Sequence, residues 1–277
     1  MNKIAFLFLI YDMINHENIW HRYFRDFHNF EGGVRKSQYN IYIHYKTDVR
    51  LEFFDEYKIH KSKIIDTKYA DISIVKAQNI LIKEALKDAK NTHFIFLSGS
   101  CIPLKSFDYL YHYLEPKYSY FHVADPDDCF PDCEVALQYI PKRHIHKASQ
   151  WCILNRKHAE LLTDGTASSN TYLRWFEDTY APDELCYISY LSYIYNDTLD
   201  DEIIATSYHS PPEVATTFAN WEDMNYKYVS ERELKNYKSI SEEELVHLLR
   251  SKSLFGRKFK PSCYPSLNKK IYYDTIG

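Results

Sequence analysis

Ala181-Pro182-Asp183-Glu184-Leu185-Cys186 sets two adjacent carboxylates behind a proline where a helix should begin. Proline fits the first helical turn, and an acid there is held by the free N–H groups and the helix dipole. The pair therefore reads in two ways, as ordinary capping or as the mount for a general base that takes a proton from an attacking hydroxyl. A second acidic group, Asp125-Pro126-Asp127-Asp128, is a literal Asp-x-Asp after an apolar run. It reads as a solvated proline turn, with a divalent-metal site as the competing reading. Near the end of the chain, Leu254-Phe255-Gly256-Arg257-Lys258-Phe259 places two cations among aromatic residues. Such cations either neutralise a phosphate, Arg as a fork and Lys as a point charge, or form a solvated basic turn.

Other chemistries find less support. His112, His144, His146 and His158 lack H-E-x-x-H or a similar metal spacing, and Ser98, Ser100 and Ser149 lack a nucleophile elbow. The six cysteines lack paired C-x-x-C spacing. Free thiols are the default, although Cys129 and Cys133 could pair across Pro131 if geometry allows.

The elements that must carry these residues alternate. Ile4 to Ile10 reads as a buried strand, Glu17 to Asn29 as a helix, Ile41 to His44 as a second strand and Ser73 to Ala89 as the clearest helix. The run from His93 to Leu97 is a third strand that delivers Ser98-Gly99-Ser100 to a site, ahead of a proline turn at Pro103. Tyr120 to Ala124, Ser149 to Leu154, Ile203 to Tyr208 and Ala215 to Phe218 read as strands. Arg156 to Leu162, Pro182 to Tyr195 and Ser241 to Arg250 read as helices, the last with a capping box that pairs Ser241 with Glu244. This is an α/β pattern, a mostly parallel central sheet flanked by helices, whose ligands bind at the carboxyl ends of the strands.

With 277 residues, 45% of them hydrophobic, the chain can fill one large core, and 6 glycines with 10 prolines leave little room for a linker. A net charge of -4 without a basic aromatic stripe argues against nucleic acid as a partner. The 26 tyrosines and 16 phenylalanines suit sugar stacking, but most read as an AT-rich coding bias that fills core and surface alike. The apolar N-terminal run is too short to span a membrane and Asp12 follows it closely, so the expectation is a soluble, cytoplasmic protein without a transmembrane segment.

Taken in order, the His93 to Phe107 segment, Lys147-Ala148-Ser149-Gln150-Trp151-Cys152-Ile153-Leu154-Asn155 with the helix after it, the acid pair and the Arg257-Lys258 segment resemble the core-2/I-branching N-acetylglucosaminyltransferase family. The resemblance runs from Ile4 to about Phe259 and includes plant and microbial relatives. It implies one GT-A-type nucleotide-sugar transferase domain over 1–277, with about 1–125 binding donor and about 126–277 completing the acceptor and catalytic half. It implies inverting, metal-independent transfer of a sugar, N-acetylglucosamine first, from a UDP-sugar to a glycan hydroxyl, with no cofactor. Glu184 matches the family's base, with Asp183 supporting it or capping. Lys258 matches the lysine on the diphosphate, with Arg257 beside it. The family's other phosphate-binding arginine would fall near His209, where no arginine stands, so His209 or Arg257 is expected to contact the phosphates in its place. Donor contacts are further expected at Phe8, Ile10, Tyr11, His44, Ser98 and Gly99, and acceptor contacts at Asp183, Gln150 and Trp221. Xylosyl transfer, a catalytically silent glycan- or nucleotide-binding protein, and a metal-dependent hydrolase of sugar nucleotides are the alternatives. Eukaryotic members of this family carry a membrane anchor ahead of the first strand and work in the Golgi lumen.

Overall fold

Strand β1 (Lys3–Ile10) lies between β2 (Tyr39–Tyr45) and β3 (Asn91–Ser98), parallel to both. Its alternate residues face opposite ways, as a strand requires. Phe6, Phe8 and Ile10 join a buried cluster on one face of the sheet, and Ala5 and Leu7 join a second cluster on the other. Burial on both faces is why these strands read as continuous apolar runs. Beyond β3 the sheet continues with β5 (Ser119–Val123), β6 (Ile153–Asn155) and β7 (Ile203–Ser207), in the order β2-β1-β3-β6-β5-β7. Only β6 runs against its neighbours. The computed structural model describes residues 2–25, 38–124, 133–164, 172–196, 201–207, 215–222 and 233–277.

Helices cover both faces. On the first, α1 (Glu17–Phe24) sends Trp20, Tyr23 and Phe24 against Phe6, and α3 (Phe107–Tyr113) adds Phe107 to the same aromatic cluster. On the second, α2 (Ser73–Leu86), α4 (Arg156–Thr163) and α5 (Cys186–Tyr195) bury Leu81, Leu162 and Leu191. Each fully buried side chain of this kind contributes roughly 1.5–3 kcal/mol. The expectation of an α/β fold with a central, mostly parallel sheet flanked by helices, as a GT-A-type fold requires, therefore holds. Among the described residues no helix is long and apolar enough to cross a membrane.

A second, three-stranded sheet joins distant parts of the chain. In it β11 (Phe255–Arg257) pairs antiparallel with β4 (Ile102–Pro103) and parallel with β8 (Thr217–Ala219). A short pair, β9 (Trp221–Glu222) and β10 (Glu233–Leu234), follows β8 closely. Helix α6 (Glu242–Arg250) precedes β11, and the Ser241 hydroxyl accepts from the Glu244 N–H at 3.1 Å, the cap expected from the sequence. Helices α7 (Tyr264–Leu267) and α8 (Lys270–Ile276) follow β11, and the Tyr272 hydroxyl of α8 donates to the Pro103 carbonyl of β4 at 2.8 Å.

Among the elements shorter than their sequence patterns, α1 ends at Phe24 and α2 at Leu86, and two others bear on the site. The helix expected from Pro182 begins only at Cys186, behind a separate 3-10 turn over Pro182–Glu184. Ala181 enters that turn in the left-handed region (φ 49°), and the Glu184 carbonyl accepts from the Ala148 N–H at 2.7 Å, so it is engaged outside the helix. The strand expected over Ser149 to Leu154 shrinks to β6 because its first half pairs elsewhere. The Ser149 N–H reaches the His122 carbonyl of β5 at 2.8 Å, and Ala148 bridges to Val123.

Candidate functional site

At the carboxyl edge of the sheet, the loops after β1 and β3 meet. The Asn15 N–H donates to the Gly99 carbonyl at 2.7 Å, and a Cβ at residue 99 would overlap the Met13 carbonyl oxygen, so only glycine fits this approach. The Ser98 and Ser100 hydroxyls lie 3.0 Å apart. From the late part of the chain, the Phe259 N–H donates to the Ser100 carbonyl at 3.0 Å, and the Asn15 side-chain amide donates to the Phe259 carbonyl at 2.7 Å. Lys258 is thus seated in a segment clasped to the β1 and β3 loops.

The expected nucleotide contacts divide. Tyr11, at the end of β1, is 65% exposed, with the Lys46 ammonium 5.7 Å from its ring centroid. Phe8, Ile10 and His44 are buried. Phe8 packs edge-on against Trp20, and the His44 Nε2 accepts from the Ile65 N–H at 3.2 Å. Burial brings His44 down to about 4, so its imidazole is neutral at physiological pH. These three side chains shape the edge from inside, and Tyr11 is the one that faces out.

The acid pair hangs from the end of β5. The Ala124 N–H donates to the Lys147 carbonyl at 2.7 Å, and the Ala148 bond to Glu184 carries the turn alongside. Glu184 keeps about a third of its side chain exposed (30%), with its Oε2 3.6 Å from the Lys147 ammonium. Asp183 has a buried Oδ1 with no hydrogen-bond partner. Burial first, and then the charge of Glu184, push its carboxyl up to about 7, against the pull of Arg257 and Lys147.

Arg257, the last residue of β11, is the cation that answers this pair. Its guanidinium lies 4.5 Å over the Trp151 ring, and its Nε is buried without a hydrogen-bond partner. Burial lowers its proton affinity, and Cys101, Glu184, Asp183 and Tyr69 oppose that. Lys258 shares Cys101 as a neighbour. Burial lowers it first, then the like charges of Arg257 and Lys260, with Cys101 opposing. The charges of Glu184 and Asp183 reach Arg257, and the segment that carries Lys258 is bound to the β1 and β3 loops through Phe259.

Of the remaining expected residues, Gln150 is half-buried between Ser149 and Trp151. Trp221 opens β9, two residues past Ala219, which is the register partner of Arg257. His209, the Asp125 to Asp128 loop and Cys129 lie outside the described residues. Among the described residues no group of three or more His, Cys, Asp or Glu could hold a metal ion. Lys147, Trp151 beneath Arg257, and Tyr69 are the neighbours that sequence reasoning missed, because each contact joins segments far apart in the chain.

The Asp183 carboxyl carries a prediction. Between its ordinary value of 3.8 and about 7, the folded state holds a proton that the unfolded chain has released. Stability therefore falls as pH rises through that window. Asp183→Asn removes the dependence, and its gain over the native chain grows to about 2–4 kcal/mol between pH 4 and pH 8. Thermal melts of both proteins across that range check this; a constant difference would show an ordinary carboxyl.

Comparison with known proteins follows the same outline. A family described as Core-2/I-Branching enzyme matches residues 4–248, a span that holds Asp183 and Glu184 and stops before Arg257 and Lys258. The rice protein "Glycosyltransferase BC10" (Oryza sativa subsp. japonica) is 29% identical over 175 residues, covering 58% of this chain and 40% of that protein. The chain thus spans less than half the length of this curated relative.

Proposed function

This chain belongs to the core-2/I-branching enzyme family, and from that premise we propose that it is an inverting glycosyltransferase. It moves a sugar, N-acetylglucosamine before xylose, from a UDP-sugar to a hydroxyl of a glycan acceptor, without a divalent metal. Residues to about 125 bind the donor, and the rest of the chain supplies the acceptor side and the catalytic acid. The observation that carries this reading is the convergence of the Pro182–Glu184 turn and the end of β11 on each other's charge beside the carboxyl edge of a mostly parallel sheet.

In the reaction, the acceptor oxygen forms a bond to the anomeric carbon while the bond from that carbon to the diphosphate oxygen breaks. Glu184 takes the proton from the attacking hydroxyl. The electron pair of the broken bond leaves with UDP, whose charge Lys258 meets as a fixed cation, with Arg257 behind it. Tyr11 and the Gly99 loop border the nucleotide side, and Gln150 and Trp221 the acceptor side. The name of the rice relative supports the reaction class.

The test is UDP release from a panel of UDP-sugars and glycan acceptors in excess EDTA. Turnover is expected to persist. Loss of turnover that manganese restores would transfer the diphosphate to a metal at the Asp125 loop. The position near residue 209 without an arginine favours the second reading, a silent binding protein. UDP binding by calorimetry, with no product from any acceptor, would establish it.

A further inference from the structure

We infer that Asn15 is a positioning residue for the donor diphosphate: its side-chain amide fixes the late segment so that the Lys258 ammonium meets the leaving group. This rests on the transferase reading above. Asn15 is not among the donor or acceptor residues expected from the sequence.

Three hydrogen bonds close a ring between the loop after β1, the loop after β3 and the chain beyond β11. The Asn15 N–H donates to the Gly99 carbonyl at 2.7 Å, the Phe259 N–H to the Ser100 carbonyl at 3.0 Å, and the Asn15 side-chain amide to the Phe259 carbonyl at 2.7 Å. The first two join main chain to main chain and ask nothing of the side chains. The third needs a short side chain that ends in a donor. Alanine offers no donor there, and an ionised aspartate, of the same shape, only accepts. The identity of residue 15 therefore decides whether the ring closes.

Asn15 is itself well held. Helix α1 begins two residues on, and its Trp20 indole N–H donates to the Cys101 carbonyl of the β3 loop at 3.0 Å. The far side of the late segment is bonded as well. The Tyr237 N–H donates to the Lys258 carbonyl at 2.8 Å, and the Tyr237 carbonyl accepts from the Lys260 N–H at 2.9 Å. The buried Tyr237 and Phe259 rings stack with centroids 4.7 Å apart. Four successive main-chain groups, from the Lys258 carbonyl to the Lys260 N–H, are thus engaged, two by Tyr237, one by Ser100 and one by Asn15. Ahead of them, Arg257 ends β11 in register with Ala219. The part-buried Lys258 stands between these two attachments.

The chemistry of the ligand follows from what is being held. A lysine is a point charge on a flexible stem, so the backbone beneath it sets where the charge can act. Its attraction to an anion falls with distance, and a fixed cation beside a leaving diphosphate is worth most when it is already in place. Loss of the Asn15 bond should therefore be felt by the phosphates and not by the base and ribose.

The experiment measures binding of UDP by calorimetry and of uridine by ligand-observed NMR, in the whole chain. Asn15→Ala is expected to weaken UDP binding about tenfold, the worth of one hydrogen bond, and to leave uridine within about twofold of wild type. Asn15→Asp at neutral pH keeps the shape without the donor and is expected to weaken UDP at least as much, which serves if the alanine variant folds poorly. In a Lys258→Ala background, Asn15→Ala is expected to cost no more than about a further twofold, because the bond acts through that ammonium. Wild-type UDP affinity in either folded variant would overturn the inference. So would an equal loss for uridine, the mark of a merely structural role, or a full loss added to that of Lys258→Ala. A wild-type chain that binds UDP with the expected dependence on Asn15 and yet glycosylates no acceptor would overturn the transferase reading and uphold the positioning. One that binds no UDP would overturn both.

Discussion

Glu184→Gln is expected to lower turnover by roughly 10²–10⁴-fold while donor affinity holds. Glutamine keeps the size and most of the hydrogen bonding of glutamate but cannot take a proton, so the loss falls on the chemical step. The side chain is part-exposed, as is its neighbour Lys147, so the exchange removes a surface ion pair worth no more than about 1 kcal/mol and the fold survives. The control is Asp183→Asn. Its Oδ1 is buried, whereas the Glu184 carboxyl is part-exposed and open to an acceptor hydroxyl. Turnover by the Asn variant should stay within about tenfold of wild type. Steady-state rates of both variants, with a thermal shift by UDP as the binding readout, decide between the carboxyls. If Asp183→Asn proves inactive and Glu184→Gln keeps full turnover, the base is assigned to the wrong residue.

The second large effect separates the adjacent cations of the late segment. Lys258→Ala is expected to cost roughly 10²–10³-fold in kcat/KM for the UDP-sugar with little change in stability, since it removes the charge proposed to meet the leaving group. Arg257→Met is expected to lower activity and also to destabilise the fold by about 2 kcal/mol, the worth of a desolvated cation–π contact. The guanidinium is buried over Trp151, and the charges of Glu184 and Asp183 reach it. Chemical denaturation read beside kinetics distinguishes the two. Equal loss of stability in both variants would show that they share one structural role.

The strands were legible because burial on both faces writes itself into sequence. Ile4 to Ile10 and His93 to Leu97 are apolar runs bounded by polar residues, and both fall within strands of the central sheet. The cap at Ser241 was equally legible, being a local pattern. What escaped notice is contact across long separations. No local signal tells that the Glu184 carbonyl binds Ala148, that Arg257 lies on Trp151, or that Lys147 meets Glu184. The side chains of Phe8 and Ile10 show the opposite limit. Both end the strand nearest the expected nucleotide, yet the two-residue period turns them into the core, and Tyr11, one residue on, faces solvent.

The bonds from Asn15 and Ser100 to Phe259 have a consequence for how the protein is made. Chains fold from the N-terminal side during synthesis, so the first strands can close while residues 257–259 are still within the ribosome. A nascent chain at that stage would own its sheet and its acid turn yet lack the segment proposed to hold the departing nucleotide. Competence to react would then arrive as a single late event, when the trailing segment emerges and threads between two loops translated long before it.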